Sequence, residues 1–251
     1  MKIWALVENT ALEGYAPEHG LSLYIEALGH RILFDMGQSG AFADNGEKLG
    51  IDLAKVDLAV ISHGHYDHGG GLERFLQINQ TAPVYISRHA FEPHFNAAGK
   101  DIGLDPAIPR QRIVFTHGNF PLAPGITLHS VPFLPTDTAG MTTVGGQPED
   151  FRHEQYLLVE EAGKRILLSG CSHKGILELM ERFRPDVLLG GFHFKDIPPE
   201  SPELIRLGEA LAQFDCTYYT GHCTGEAQFA VLKTILRDRL HPIRTGSVIE
   251  I

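Results

Sequence analysis

The sequence predicts an α/β protein. Apolar runs of strand length alternate with helix-length amphipathic segments, and four of the strands run straight into loops that bear histidine. Loops leaving strand ends are where open α/β sheets place their chemistry. At 251 residues the chain is long enough for one large domain with a substantial core.

Residues 2–7 read as a first strand and 21–28 as a second, with Gly14, Pro17 and Gly20 breaking the chain between them. A short strand, 31–34, follows a hairpin turn placed at Gly29-His30 and ends at Asp35. Residues 41–49 form a helix, 57–61 a buried strand, 72–78 a helix and 83–87 a strand. From 88 to about 151 the pattern is interrupted by eight prolines, with short strands at 112–115 and 126–131. Such an insertion is expected to lie over the site as a binding loop or lid, with Phe91, Phe95, Phe133 and Leu134 as substrate-pocket walls. A hairpin then pairs 156–160 with 165–169, and helix 176–183 and strand 187–189 follow. Ser201-Pro202 starts a helix reaching about 214, with serine as the cap and proline at the first helical position. Strand 217–220, helix 226–237 and a terminal strand within 243–251 complete the chain.

The chemistry gathers at the strand ends. After strand 57–61 come His63, His65, Asp67 and His68, four metal-ligand types within six positions. His63 and His65, two apart in extended backbone, project to one side and take one metal, while Asp67 and His68, past a turn, swing toward a second. Imidazole suits zinc, iron and manganese, and a carboxylate hardens the set. The strand ending at Ser169 leads into Cys171 and His173, two positions apart. His193, between Phe192 and Phe194, and His222 repeat the pattern of strand, glycine and histidine. Asp35 closes a strand where a carboxylate could support the ligand loop. His19 is a weaker supporting candidate, and Glu8 and Asn9 read as ordinary loop residues.

Composition excludes several classes. A net charge of −10 with scattered basic residues argues against a nucleic-acid binder. No run approaches the length of a membrane span, and Glu8-Asn9 cut short the apolar start of the chain. The three cysteines make no disulfide framework, which points to a reducing, cytoplasmic setting. Fourteen histidines favour metal chemistry.

Asp35 after its strand, His63-Gly64-His65-Tyr66-Asp67-His68 and Gly221-His222 together resemble the motifs of the metallo-β-lactamase fold superfamily. Within it, Glu18-His19-Gly20-Leu21-Ser22, Phe34-Asp35-Met36-Gly37-Gln38, residues 62–71, Gly170-Cys171-Ser172-His173-Lys174-Gly175, Gly190-Gly191-Phe192-His193 and Gly221-His222-Cys223-Thr224-Gly225 are similar to the dihydropterin-methyl ribofuranosylaminobenzene phosphate synthase-like branch. The resemblance implies a four-layer αβ/βα sandwich with a dinuclear site at one edge. It implies His63 and His65 on the first metal, and Asp67, His68 and His222 on the second. The chain departs from the superfamily pattern where a third histidine and a bridging aspartate belong. His173 is preferred over His153 as that histidine, and Cys171 is the bridge candidate.

The expectation is a hydrolase using one or two divalent ions, zinc first with manganese or iron as alternatives, on a phosphoester of a pterin-like or nucleotide-like small molecule. Asp67 and His193 would serve catalysis, and Lys174, Phe133 and Phe192 would contact substrate, with Arg110 or Arg112 as further phosphate contacts. A lactonase or thioesterase, an iron-containing oxidoreductase and a ligand sensor are the alternatives. Oligomeric state is left open, a homodimer being one option.

Overall fold

The computed structural model describes all residues except 133, 134 and 136–138. In chain order the strands are β1 (Lys2–Val7), β2 (Ser22–Ala27), β3 (His30–Phe34), β4 (Leu58–Val60), β5 (Val84–Ser87), β6 (Ile113–Thr116), β7 (Asn119–Ala123), β8 (Ile126–His129), β9 (Tyr156–Glu161), β10 (Lys164–Leu168), β11 (Val187–Leu189), β12 (Thr217–Thr220), β13 (Leu240–Pro242) and β14 (Val248–Glu250). They form two seven-stranded sheets, ordered β14-β1-β2-β3-β4-β5-β6 and β13-β12-β11-β10-β9-β8-β7. Each sheet is mixed. In the first, β3 through β6 run parallel, and in the second β10 through β13 do, with antiparallel strands beyond β3 and β10.

Alternation along the strands builds the layers. On β9, Leu157 and Val159 face the apolar cluster between the sheets, while Tyr156 and Leu158 face an outer cluster. Ile3, Ile25, Ile32 and Phe34 of the first sheet meet Leu128, Leu157, Ile166 and Leu168 of the second in the central gap. The helices cover the outer faces. Phe42 of α1 (Ala41–Lys48) and Leu72 and Phe75 of α3 (Leu72–Ile78) pack on Leu6, Leu33 and Ala59. Leu179 of α4 (Ile176–Phe183), Leu204 of α5 (Pro202–Leu211) and Leu232 of α6 (Glu226–Leu236) pack on Leu167, Leu188 and Tyr218. Three buried clusters between four layers make the expected αβ/βα sandwich, each fully buried Leu, Ile, Val or Phe contributing about 1.5–3 kcal/mol.

Most element boundaries agree with the sequence reading, and the departures have physical causes. The β2–β3 turn is Leu28-Gly29, with φ of 51° and 81°, so the pair of positive φ angles that a tight hairpin needs lies one residue earlier than expected. β7 was not expected because Pro121 interrupts it, but it is the edge of its sheet, where a missing N–H breaks no ladder. β6, β7 and β8 lie inside the Pro-rich stretch, which carries the chain from the first sheet to the second. The last strand, β14, closes the first sheet against β1. A one-turn helix, α2 (Tyr66–Gly69), sits within the ligand loop itself. No helix among the described residues is long and apolar enough to cross a membrane.

The parallel strands decide where chemistry lies. β3 and β4 deliver Asp35 and residues 61–68 to one end of the first sheet, and β10, β11 and β12 deliver Cys171, His193 and His222 to one end of the second.

Candidate metal centre

Asp35 is the hub of the ligand loop. It is fully buried, at φ 59°, and its Oδ1 accepts the Ser62 backbone N–H at 2.7 Å. Its Oδ2 accepts the Ser62 hydroxyl at 2.7 Å and the Nδ1–H of His68 at 2.7 Å. Because the Ser62 hydroxyl donates to Asp35, its oxygen accepts from His63 Nδ1 at 2.8 Å. One carboxylate therefore holds the Nδ1 protons of two histidines and turns Nε2 of each toward the other donors. Gly170 makes the approach of the second sheet possible, since a Cβ there would lie 2.2 Å from Ser62 Oγ.

His222 is oriented in the same way from β1. Its backbone N–H donates to the buried Glu8 carboxylate and its Nδ1 to Asn9 Oδ1 at 2.9 Å, so Nε2 carries the lone pair. Glu8 and Asn9, expected to be ordinary loop residues, are thus structural partners of this histidine. The signal was available, for they close an apolar strand as Asp35 does. Replacing Asn9 by alanine should lower metal affinity about 10- to 100-fold in a chelator competition titration, without the larger loss expected from removing a donor.

The donors now face one another. His68 Nε2 lies 3.2 Å from His222 Nε2 and 3.2 Å from Cys171 Sγ, and Asp67 Oδ2 lies 3.3 Å from His222 Nε2 and 4.0 Å from His68 Nε2. Donors on a tetrahedral cation with bonds of about 2.0–2.3 Å sit about 3.3–3.7 Å apart. Two imidazole nitrogens at 3.2 Å repel unless a shared proton or a cation lies between them. His19 Nε2, on a more exposed side chain, also reaches Asp67 Oδ2 at 3.3 Å.

A second cluster adjoins it. One ring nitrogen each of His63, His65 and His173 lies within 4.8 Å of the others, and Nε2 of each ring is buried without a hydrogen-bond partner. Unpartnered buried nitrogens are costly, so this set fits a cation. His63, His68 and Cys171 likewise bring one donor each within 4.8 Å, so the clusters meet at Cys171. His173 is held by its backbone N–H on the Glu154 carboxylate at 2.9 Å and by parallel stacking on Phe151 at 4.3 Å. His153 differs from it. His153 Nδ1 accepts the Gly64 N–H at 2.8 Å, so its proton sits on Nε2 and no lone pair remains for a metal. It positions the loop between His63 and His65 instead. Close by, His94 Nδ1 meets Glu149 Oε2 at 2.7 Å. His94 and Glu149 come from aperiodic segments and gave no sequence signal.

Electrostatics follow burial. Desolvation holds His63 and His173 neutral, pushes His65 down to about 3 and His222 down to about 4. Burial also disfavours charge on His68, but Asp35 and Asp67 outweigh it and raise this histidine to about 9. Burial alone would raise Asp67; His68, His19 and His222 hold it well below the carboxylate range. Burial beside Cys223 pushes the Cys171 thiol well up. The local charge balance favours one added positive charge, carried by the proton on His68 or by a cation that displaces it.

A cleft of about 670 Å³ opens on this centre, lined in part by Phe151, His173, Phe192 and His193. The His193 ring is 4.4 Å from that of His173. Phe91 and Phe95 do not line it, and Phe91 instead stacks under Arg110. Phe133 and Leu134 lie outside the described residues. Lys174 is buried, its ammonium donating to the Asp150 carbonyl at 2.6 Å. The guanidinium groups of Arg110 and Arg112 bond backbone carbonyls.

Comparison with known proteins agrees with this picture. Over its whole length the chain is 28% identical to 7,8-dihydropterin-6-methyl-4-(beta-D-ribofuranosyl)-aminobenzene-5'-phosphate synthase of Methanocaldococcus jannaschii, covering 96% of that protein. The crystal structure of Tm1679, described as a metal-dependent hydrolase of the beta-lactamase superfamily, matches with a TM-score of 0.84 at 26% identity, covering 100% of this chain and 99% of that one. The fold protein YhfI of Bacillus subtilis matches with a TM-score of 0.65 at 13% identity, covering 100% of this chain and 99% of that one. The model of the metallo-beta-lactamase superfamily spans residues 15–196, most of the chain, and the protein belongs to that superfamily.

Proposed function

We propose that the protein is a metal-dependent hydrolase acting on a phosphoester of a pterin-like or nucleotide-like small molecule. The observation that carries the metal dependence is the pair of adjoining donor clusters, with Nε2 of His68 facing Nε2 of His222 and unpartnered Nε2 atoms on His63, His65 and His173. When bound there, divalent cations supply Lewis acidity and bring the pKa of water from 15.7 toward about 7. His63, His65 and His173 would hold one ion, Asp67, His68 and His222 the other, with Cys171 between them. Asp67, pinned by His19 and His222, would orient the attacking water. His193, on the cleft side of His173, would give a proton to the leaving alcohol. The phosphoester and the pterin are supported by the name of the 28% identical relative.

That relative is a synthase, which favours a second reading in which the same centre transfers the activated group to an acceptor other than water. Metal content per chain, with turnover of a generic phosphodiester and a generic lactone, tests both the mechanism and the substrate class. About two ions in the wild type, fewer in Cys171→Ala, and phosphodiesterase activity lost on chelation are expected. Lactone turnover alone would select an acyl hydrolase, and tightly held iron with neither activity would sink hydrolysis. Product analysis with an added aryl amine separates transfer from hydrolysis.

A further inference from the structure

The cleft that opens on His173 has a composition that the phosphoester alone does not explain. Three carboxylates, Glu178, Asp196 and Glu203, line it, and no lysine or arginine is among its described lining residues. Lys174 is buried on the Asp150 carbonyl, and two further basic side chains, Lys195 and Arg244, line a different cleft of about 450 Å³ that opens on His222. Away from His173 and the metal donors, an anionic group has no favourable place in the first cleft. An apolar ring does, because the partly exposed Leu177, Ile197 and Leu207 line it, backed by the buried Phe151, Phe192 and Phe194.

Glu178 is the carboxylate built into this arrangement. It stands in the first turn of α4, five residues after His173, and is half-buried. Its side chain folds back over Gly175, where a Cβ would lie 2.1 Å from Oε2, and Gly175 adopts φ 101°. Any other residue at 175 would therefore displace the carboxylate from this place. No hydrogen-bond or ion-pair partner occupies Glu178 among the described residues. Its two oxygens are thus available to accept a pair of adjacent N–H groups.

We infer that the cleft takes the heterocyclic end of the substrate, a flat ring with an amidine-like pair of donors such as the 2-amino-4-oxo ring of a pterin or guanine, and that Glu178 is the specificity-determining residue accepting that pair. The inference rests on the proposed function in that the phosphate end would then lie at the metal donors or toward Lys195 and Arg244. A carboxylate accepting two parallel N–H bonds is among the strong, geometrically selective contacts. A ring with a carbonyl in place of the amino group would leave Glu178 facing an acceptor.

The test needs no turnover. Binding of 6-hydroxymethylpterin to the zinc-loaded protein is followed by the pterin's own fluorescence and compared with lumazine, which has a carbonyl where pterin has the 2-amino group. Pterin should bind about 10- to 100-fold more tightly than lumazine, and Glu178→Ala should abolish the difference. Glu178→Gln, still an acceptor but uncharged, should retain part of it, and unchanged circular dichroism would show that both variants fold. Equal binding of the two rings, or a preference that survives in Glu178→Ala, would overturn the inference. Pterin preference without phosphoester turnover would sink only the hydrolase reading, while turnover of a generic phosphodiester without pterin preference would sink only this one.

Discussion

Asp35→Ala should cost about 3–5 kcal/mol of stability and most of the bound metal, measured together by urea unfolding and metal analysis after gel filtration. The reason is the number of donors that one fully buried carboxylate serves. Alanine leaves the Ser62 N–H, the Ser62 hydroxyl and the His68 Nδ1–H without their acceptor, and frees the tautomer of His63 through Ser62. Asp35→Asn should lose less stability, because one amide oxygen still accepts, yet should lose metal comparably, since the amide cannot accept at both positions. A variant that keeps its full complement of metal would show that the donors are held by something other than this network.

Chelated, metal-free protein should unfold with acid between about pH 6 and pH 4.5, as followed by far-ultraviolet circular dichroism. His63, His65, His153, His173 and His222 are all kept neutral by burial in the folded state. In the unfolded chain each takes up a proton near pH 6.5, so below that pH the unfolded state binds more protons and folding weakens. Each such group costs up to about 1.4 kcal/mol per pH unit, and five acting together exhaust a stability of about 5–15 kcal/mol within one or two units. His68 acts in the opposite sense. Raised to about 9, it contributes stability that is complete below pH 6.5 and is lost as pH rises through 9. Bound cations should move the acid transition to lower pH, because they compete with protons for the same lone pairs. A metal-free protein that stays folded at pH 4 would show that these imidazoles already have partners.

The candidate ligand loop was legible because strand β4 is a short buried run and four residues of metal-ligand type fall within six consecutive positions, 63–68. α4 and β11 were legible to the residue for the same reason, sharp apolar periodicity between clear breaks. Asp35 is readable as a strand-closing carboxylate, and Glu8 and Asn9 close β1 with the same pattern. His94, Glu149 and the orienting role of His153 were not legible. Their partners, Gly64 among them, come from remote segments without periodicity, and a tautomer is fixed only by the neighbour that shares its hydrogen bond. The expectation that Lys174 meets a phosphate failed to anticipate its depth, for it lies behind His173 against the Asp150 carbonyl rather than at an open surface.

His68 and Cys171 are 103 residues apart in the chain, and His68 and His222 are 154 apart. Each pair joins one sheet to the other. A cation held by all three would fasten two halves of the polypeptide that otherwise meet through an apolar seam, and, unlike a disulfide, it would leave when they part. The strength of that fastening is set by mass action, about 2.7 kcal/mol at a free metal concentration a hundred times the dissociation constant. With the proposed metal bound, persistence of the folded chain would become a readout of metal supply, and a metal-starved cell would hold less of this protein before any of its chemistry was limited.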